Sequence, residues 1–425
     1  MGSITLNHIT RVEGHARLDL EVDNGRLKKC ELGSIEGSRY FEGLLKGRKY
    51  NEAQEISTRI CGICSSAHNV AAIMAVEDAM NVRPSKQTIG LRQLQTIGER
   101  IRSHATHLYF LALPDYLGYE SALEMGSQYG KEIRRALRLM KLGNDMVSLI
   151  TGRVIHPVAP TIGGFLHFPG EEDLAQIRDR LDKAHEDIIE TGNLIASLEF
   201  PDFEREKQYL SIFKEDGFGT SQGRIKVGDH IFEQPEFHKF VEEYHEPFST
   251  ANFVVKEGKS YAVGALARVN NSKHLLSPET QEYMKNLAIK FPSDNPFHNN
   301  MAQALELIHY REVCINLIDD LTVAKEEIAP IELREGHGIA ATEAPRGTLW
   351  HEYEVGNDGI IRYANIVTPT AQFLRTLNED IAAYVHQLLD NSASEKEIIS
   401  EVERLIRSYD PCFSCSSHFL EVNWR

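Results

Sequence analysis

The chain has 425 residues, a formal net charge of −16, 42% apolar and 25% charged residues. That is globular composition with interior enough for a buried site, and it excludes collagen-like, low-complexity and disordered classes. The acidic balance argues against a nucleic-acid or anionic-membrane partner, and no apolar run approaches a membrane span.

In chain order, "MGSITLNHITRVEGH" lacks the basic and apolar regions of a signal peptide. Six cysteines in so long a chain are no disulfide framework, so the expectation is a reducing, cytoplasmic compartment. "HARLDLEVDNGRLKKCELG" alternates Ala16, Leu18, Leu20 and Val22 against Arg17, Asp19 and Glu21, then turns at Asp23-Asn24-Gly25 into a second strand. From about residue 65 helical periodicity dominates. Helices are expected from 66 to 80 and over 86–113, 130–151, 171–198, 277–290, 298–327, 369–391 and 394–409. The last opens on a capping box, Ser394-x-x-Glu397, and Asp410-Pro411 stops it. Short β patches fall at 224–233, 252–263 and 352–367, the last turning at "GNDG". The fold class read from this is mainly α with small peripheral β-sheets (α+β). A single large catalytic domain over 1–425 is expected, with an N-terminal β-hairpin region (1–35) and an α+β insertion at about 201–262.

Four of the six cysteines form two C-x-x-C pairs, Cys61/Cys64 and Cys412/Cys415, one near each end of the chain. Two such pairs complete a four-sulfur metal site. Three readings stay open on spacing alone: structural zinc, whose pairs usually lie much closer together; a functional metal; and two unrelated pairs. A thioredoxin-like pair is a poor fit, since neither motif sits in a βαβ pattern. Cys61/Cys64 precede a helix, whose N-terminus favours thiolates. His68 lies one turn beyond Cys64, as a core histidine or as a hydrogen-bond donor to a ligand.

Together R-x-C-G-x-C-x-x-x-H and D-P-C-x-x-C-x-x-H resemble the large, catalytic subunit of [NiFe]-hydrogenases. "RVEGHARL" at 11–18, "FEGLLKGR" at 41–48, "SHATHLYFLALPDYLG" at 103–118, "EAPRG" at 343–347 and "TPTAQ" at 368–372 agree, so the resemblance spans the chain. It implies a large-subunit-like helical core and reversible heterolytic H2 oxidation and proton reduction at a Ni-Fe(CN)2(CO) centre. Cys61 and Cys412 would be terminal nickel ligands; Cys64 and Cys415 would bridge to iron. Glu13 would relay protons from Cys412, its plain alternative being an ion pair with Arg11. Arg346 would hold its guanidinium over the open face of the metals, oriented by Asp410, and Thr370 would donate to an iron cyanide. Glu42, His418 and the carbonyl of Ile366 would hold Mg2+. Ser103 stands where some members carry Asp.

The resemblance is to the cytosolic, multisubunit branch (group 3). "GFGTSQG" at 217–223 fails as a dinucleotide loop, and Cys30 and Cys314 are isolated, so iron–sulfur clusters and flavin belong on other chains. The implied partners are an iron–sulfur small subunit and further diaphorase, F420-linked or ferredoxin-linked subunits. "FLEVNWR" follows His418, where family precursors lose a peptide; its retention is the expectation. The runner-up is a structural, complex-I-like docking subunit whose four cysteines hold zinc.

Overall fold

The computed structural model describes residues 3–417 of the chain; His418 and the "FLEVNWR" tail lie outside the described residues. The fold is mainly helical with small sheets. No helix among the described residues is long and apolar enough to cross a membrane.

The chain starts as an antiparallel sheet of Ser3–Leu6, Ala16–Asp23 and Arg26–Ser34. Ala16, Leu18, Leu20 and Val22 all face inward, as their alternation predicts. Asn24 and Gly25 both take positive φ, the conformation a tight two-residue hairpin turn demands.

The long helices are Ser65–Met80, Lys86–Thr106, Gly130–Thr151, Asn299–Asp320, Pro369–Asp390 and Glu395–Ser408. The expected capping box closes on the last, Ser394 and Glu397 each taking the other's backbone N–H. Three departures have local causes. The expected 86–113 helix widens into a π-helical stretch, His107–Ala112, where Leu113 N–H reaches back to Leu108 O. Pro114 follows, and its missing N–H forbids a regular ladder there. The expected 171–198 helix splits into Glu171–Lys183 and His185–Ala196. Arg311 Nε takes Leu181 O at 3.0 Å, the carbonyl that His185 N–H needs to continue the ladder. The expected 298–327 helix ends at Asp320, because the next segment lies extended along Lys86–Thr106: Gln87 donates to Ala324 O and accepts its N–H, both at 2.8 Å.

A meander of Gly336–Ala344, Gly347–Val355 and Ile361–Val367 packs on the Ser65–Met80 helix in the interior. Its first strand, rich in Gly and Ala, carries no β-propensity signal. Gly336 and Gly338 are there for contact: a Cβ on either would stand 1.9 and 2.1 Å from the carbonyls of Ala79 and Ala75. Tyr261–Ala262, Gln208–Phe213, Arg224–Val227 and His230–Phe232 form a separate four-stranded sheet in that order. All four cysteines of the C-x-x-C pairs belong to the hydrophobic cluster built from the Ser65–Met80 helix and the meander.

Candidate metal centre

Cys61 leaves a short helical turn in extended conformation, and Cys64 is the residue before Ser65–Met80. Cys412 likewise precedes a short helix, Phe413–Ser416, which carries Cys415. The four buried Sγ atoms lie within 4.8 Å of one another. Cys61 and Cys412 approach to 3.5 Å, Cys64 and Cys415 to 3.2 Å, Cys412 and Cys415 to 2.8 Å.

Hydrogen bonds from Cys412, Cys415 and Cys64 push the Cys61 thiol well below its usual range. Bonds from Cys412 and Cys415 also pull on Cys64, but its bond to Cys61, burial and the Cys61 charge carry it up to about 11. Burial raises Cys412 and Cys415 well above the ordinary thiol. One thiolate is thus easy and the rest need a cation, which makes this a soft metal's donor set.

Glu13 pairs with Cys412 as an isolated bridge: Phe413 N–H donates to Glu13 O at 2.9 Å. Its carboxylate lies 2.8 Å from Cys412 Sγ and accepts from Ser414 N–H at 3.2 Å and from the Ser414 hydroxyl. It makes no ion pair with Arg11, whose guanidinium goes to Asp115 and to Leu111 O.

Arg346 donates from Nε to Asp410 O at 2.7 Å and from Nη2 to Asp410 Oδ1 at 2.8 Å, while Nη1 is buried without a partner. Burial opposes its charge, but Asp410 and the Cys412, Cys61 and Cys64 sulfurs hold its pKa well above the ordinary value. Thr370 Oγ1 accepts Cys412 N–H at 2.9 Å, which leaves the hydroxyl proton to donate elsewhere. His68 Nδ1 lies 3.0 Å from His351 Nε2, inside the cluster. Glu42 Oε1 accepts Ile366 N–H at 3.0 Å, which brings these two residues together; His418 lies outside the described residues.

Sequence reading missed Glu99, whose carboxylate accepts Ser66 N–H at 2.6 Å and Ala67 N–H at 3.0 Å at the start of the cysteine-bearing helix. It also missed Arg100, Arg268, Glu306 and Glu343, all buried. A signal was present for Glu99: Lys86–Thr106 places Arg92, Gln95, Glu99 and Arg102 on one face, and a polar stripe that regular is a buried network as readily as a solvated face.

A sequence model of the family described as nickel-dependent hydrogenase matches residues 39–167 and 256–418. The alpha subunit of sulfhydrogenase 1 from Pyrococcus furiosus is 35% identical, over 99% of this chain and 98% of its own. The beta subunit of the NAD-reducing hydrogenase HoxS from Cupriavidus necator is 25% identical, over 98% and 95%. The crystal structure of an NAD+-reducing [NiFe]-hydrogenase in the H2-reduced state superposes with a TM-score of 0.90 at 23% identity, over 98% of this chain and 100% of that one. These matches favour the enzyme over the zinc-holding docking subunit. With four sulfurs gathered in its interior as a metal-binding group, the chain belongs to the nickel-dependent hydrogenases, as their catalytic large subunit.

Proposed function

We propose that the four thiolates hold a Ni-Fe(CN)2(CO) centre, with Cys61 and Cys412 terminal on nickel and Cys64 and Cys415 bridging. When bound, such a centre supplies the electron-rich, open metal pair at which H2 is cleaved into protons and electrons. The observation that carries this reading is the gathering of four buried sulfurs within 4.8 Å, one of them 2.8 Å from a carboxylate.

Glu13 takes the proton from the Cys412 sulfur and passes it outward. Ser414 aims the carboxylate through two donors, so the acceptor oxygen needs no reorientation before each transfer. Arg346, pinned to Asp410 by two donors, keeps Nη1 for the open face of the metals. It acts by position and charge, since a guanidinium this stabilised does not give up its proton. Thr370 accepts the Cys412 amide on its hydroxyl oxygen, and its proton would donate to an iron cyanide. His68 supports the ligand cluster from the Cys64 side, and Glu42, His418 and the Ile366 carbonyl hold Mg2+.

The chain works as a single catalytic domain, carrying the N-terminal hairpin region (1–35) and the insertion at about 201–262. Electrons leave through an iron–sulfur small subunit, followed by diaphorase, F420-linked or ferredoxin-linked subunits in the cytoplasm. That relatives are named as alpha and beta subunits of their hydrogenases supports partner chains. Elemental analysis and infrared spectra of the purified complex test the centre: about one nickel per copy of this chain, with infrared bands of CN− and CO, is expected. Zinc alone, without those bands, overturns it.

A further inference from the structure

Arg346 sits in the two-residue turn Pro345-Arg346 between Gly336–Ala344 and Gly347–Val355, where Ala344 pairs with Gly347. Tight hairpins favour turns with positive φ at one or both central residues. Neither Pro345 nor Arg346 has positive φ; Gly347, which follows them, does, at +135°.

Two guanidiniums from outside the hairpin also hold the turn. Arg100 Nη1 donates to Glu343 O at 2.9 Å; Arg268 donates from Nη1 to Ala344 O and from Nη2 to Pro345 O, both at 3.1 Å. The three carbonyls leading to Arg346 are therefore taken in succession. Gly264, at the start of the helix bearing Arg268, touches the fourth: a Cβ there would lie 3.2 Å from Arg346 O. The remaining donors of Arg268 go to Glu306 through Nε and Nη2 and to Glu343 Oε2 at 2.9 Å, so all five N–H groups are used. Glu343 Oε1 accepts Ile212 N–H and the Thr348 hydroxyl, both at 2.8 Å, and Glu306 Oε2 meets His104 Nε2 at 2.8 Å. Arg268 is thus saturated, while Arg100 Nε and His104 Nδ1 are buried without a partner, and the clamp joins five separate segments of the chain.

We infer that Arg268 and Arg100 are positioning residues for Arg346: they fix the turn that presents its guanidinium to the thiolates, and they act on turnover through it. The inference rests on the proposed role of Arg346. A lysine keeps the charge at 268 but cannot reach two carbonyls and two carboxylates from one fork.

The test is a double-mutant cycle of Arg268→Lys with Arg346→Lys in the assembled hydrogenase, read as kcat, metal content and amide exchange over residues 343–348. Arg268→Lys alone is expected to lower kcat roughly 10-fold to 100-fold, the usual consequence of a small misplacement. Metal content should hold, and exchange over 343–348 should quicken. In the Arg346→Lys background, the same change is expected to cost less than about twofold further, because coupled residues are not additive. Multiplicative losses, or unchanged exchange, overturn the inference and give Arg268 a general structural role. If Arg346→Lys alone keeps full turnover, the reading of Arg346 fails and takes the inference with it, a result separable from the first. Should Arg268→Lys not fold, Arg100→Lys carries the same cycle, since Arg100 gives up the Glu343 carbonyl, the Thr96 hydroxyl and its place 4.8 Å over the Tyr310 ring, but no carboxylate.

Discussion

Cys61 and Cys64 lead into a helix of 16 residues, whereas Cys412 precedes, and Cys415 belongs to, one of only four. The first pair is held by local structure. Ser65–Met80 is buried nearly all round, packs on the interior meander, and finds a built-in acceptor for its first N–H groups in Glu99. The second pair cannot be held that way, because one helical turn does not pay for its own nucleation. Its position is imposed by residues far away in the chain: Glu13 takes Phe413 N–H, Ser414 N–H and the Ser414 hydroxyl, and Thr370 takes Cys412 N–H. Gly14, at φ +81°, permits this approach, for a Cβ there would stand 2.7 Å from Ser414 N. One half of the centre is therefore rigid by secondary structure. The other is a docked helical turn, and one of the groups that dock it, Glu13, also reaches the Cys412 sulfur.

The comparison predicts equality where all four sulfurs are needed. Cys64→Ser and Cys415→Ser should each abolish retention of nickel and the infrared bands of CN− and CO, measured on the purified complex. Full metal in either variant would break the shared-centre reading at that half. Asymmetry should appear next. Glu13→Gln keeps an oxygen to accept Ser414 N–H but cannot carry a proton, so metal content should persist while H2 oxidation falls by roughly 100-fold or more. Undiminished H2 oxidation would remove Glu13 from the relay.

The same contrast governs what was legible beforehand. The meeting of Cys61, Cys64, Cys412 and Cys415 was legible once the motifs around the two C-x-x-C pairs carried a family resemblance, while the Ala16–Val22 alternation and the Ser394–Glu397 box can be read from spacing. Each of the latter two is a short pattern whose physics is contained in a few neighbouring residues. The roles of Glu99 and Arg268 were not legible, because a charged residue within a helix defaults to the surface unless its partner is known, and the polar stripe that holds Glu99 does not name that partner. Their partners come from other segments: Ser66 and Ala67 for Glu99, Glu306 and Glu343 for Arg268. The break at Ala184 and the end at Asp320 fail for the same reason, since Arg311 and Gln87 act there from other helices.

On the Cys61/Cys64 side, Glu99 gives a pH signature. Burial raises its carboxyl to about 7 from 4.5, against the Arg102 charge and the N–H groups of Ser66 and Ala67. The folded state therefore holds a proton that the unfolded chain has released above pH 4.5. The stability this carries is present at low pH and is lost as pH rises from 4.5 through 7, by roughly 3 kcal/mol. Glu99→Gln cannot titrate, so urea unfolding should show the variant gaining on the wild type by about that amount between pH 4.5 and 8. An equal difference at both ends of that range would mean that Glu99 stays ionised in the fold and that this half is capped by charge.

Thr370 gives the matching test on the Cys412/Cys415 side, with a smaller effect. Its hydroxyl oxygen is the acceptor for Cys412 N–H at 2.9 Å, and both residues are buried. Thr370→Val keeps the shape of the side chain and replaces the acceptor by a methyl group. The Cys412 amide is then left without a partner in a dry interior, which costs about 1–3 kcal/mol. Thr370→Ser retains the oxygen and should lose less. Because Phe413–Ser416 depends on imposed bonds, the loss should show as faster amide exchange from Cys412 to Cys415, with exchange across Ser65–Met80 unchanged. Equal quickening of both segments would mean that the two halves of the centre rise and fall together, and that the short helix borrows its order from the long one.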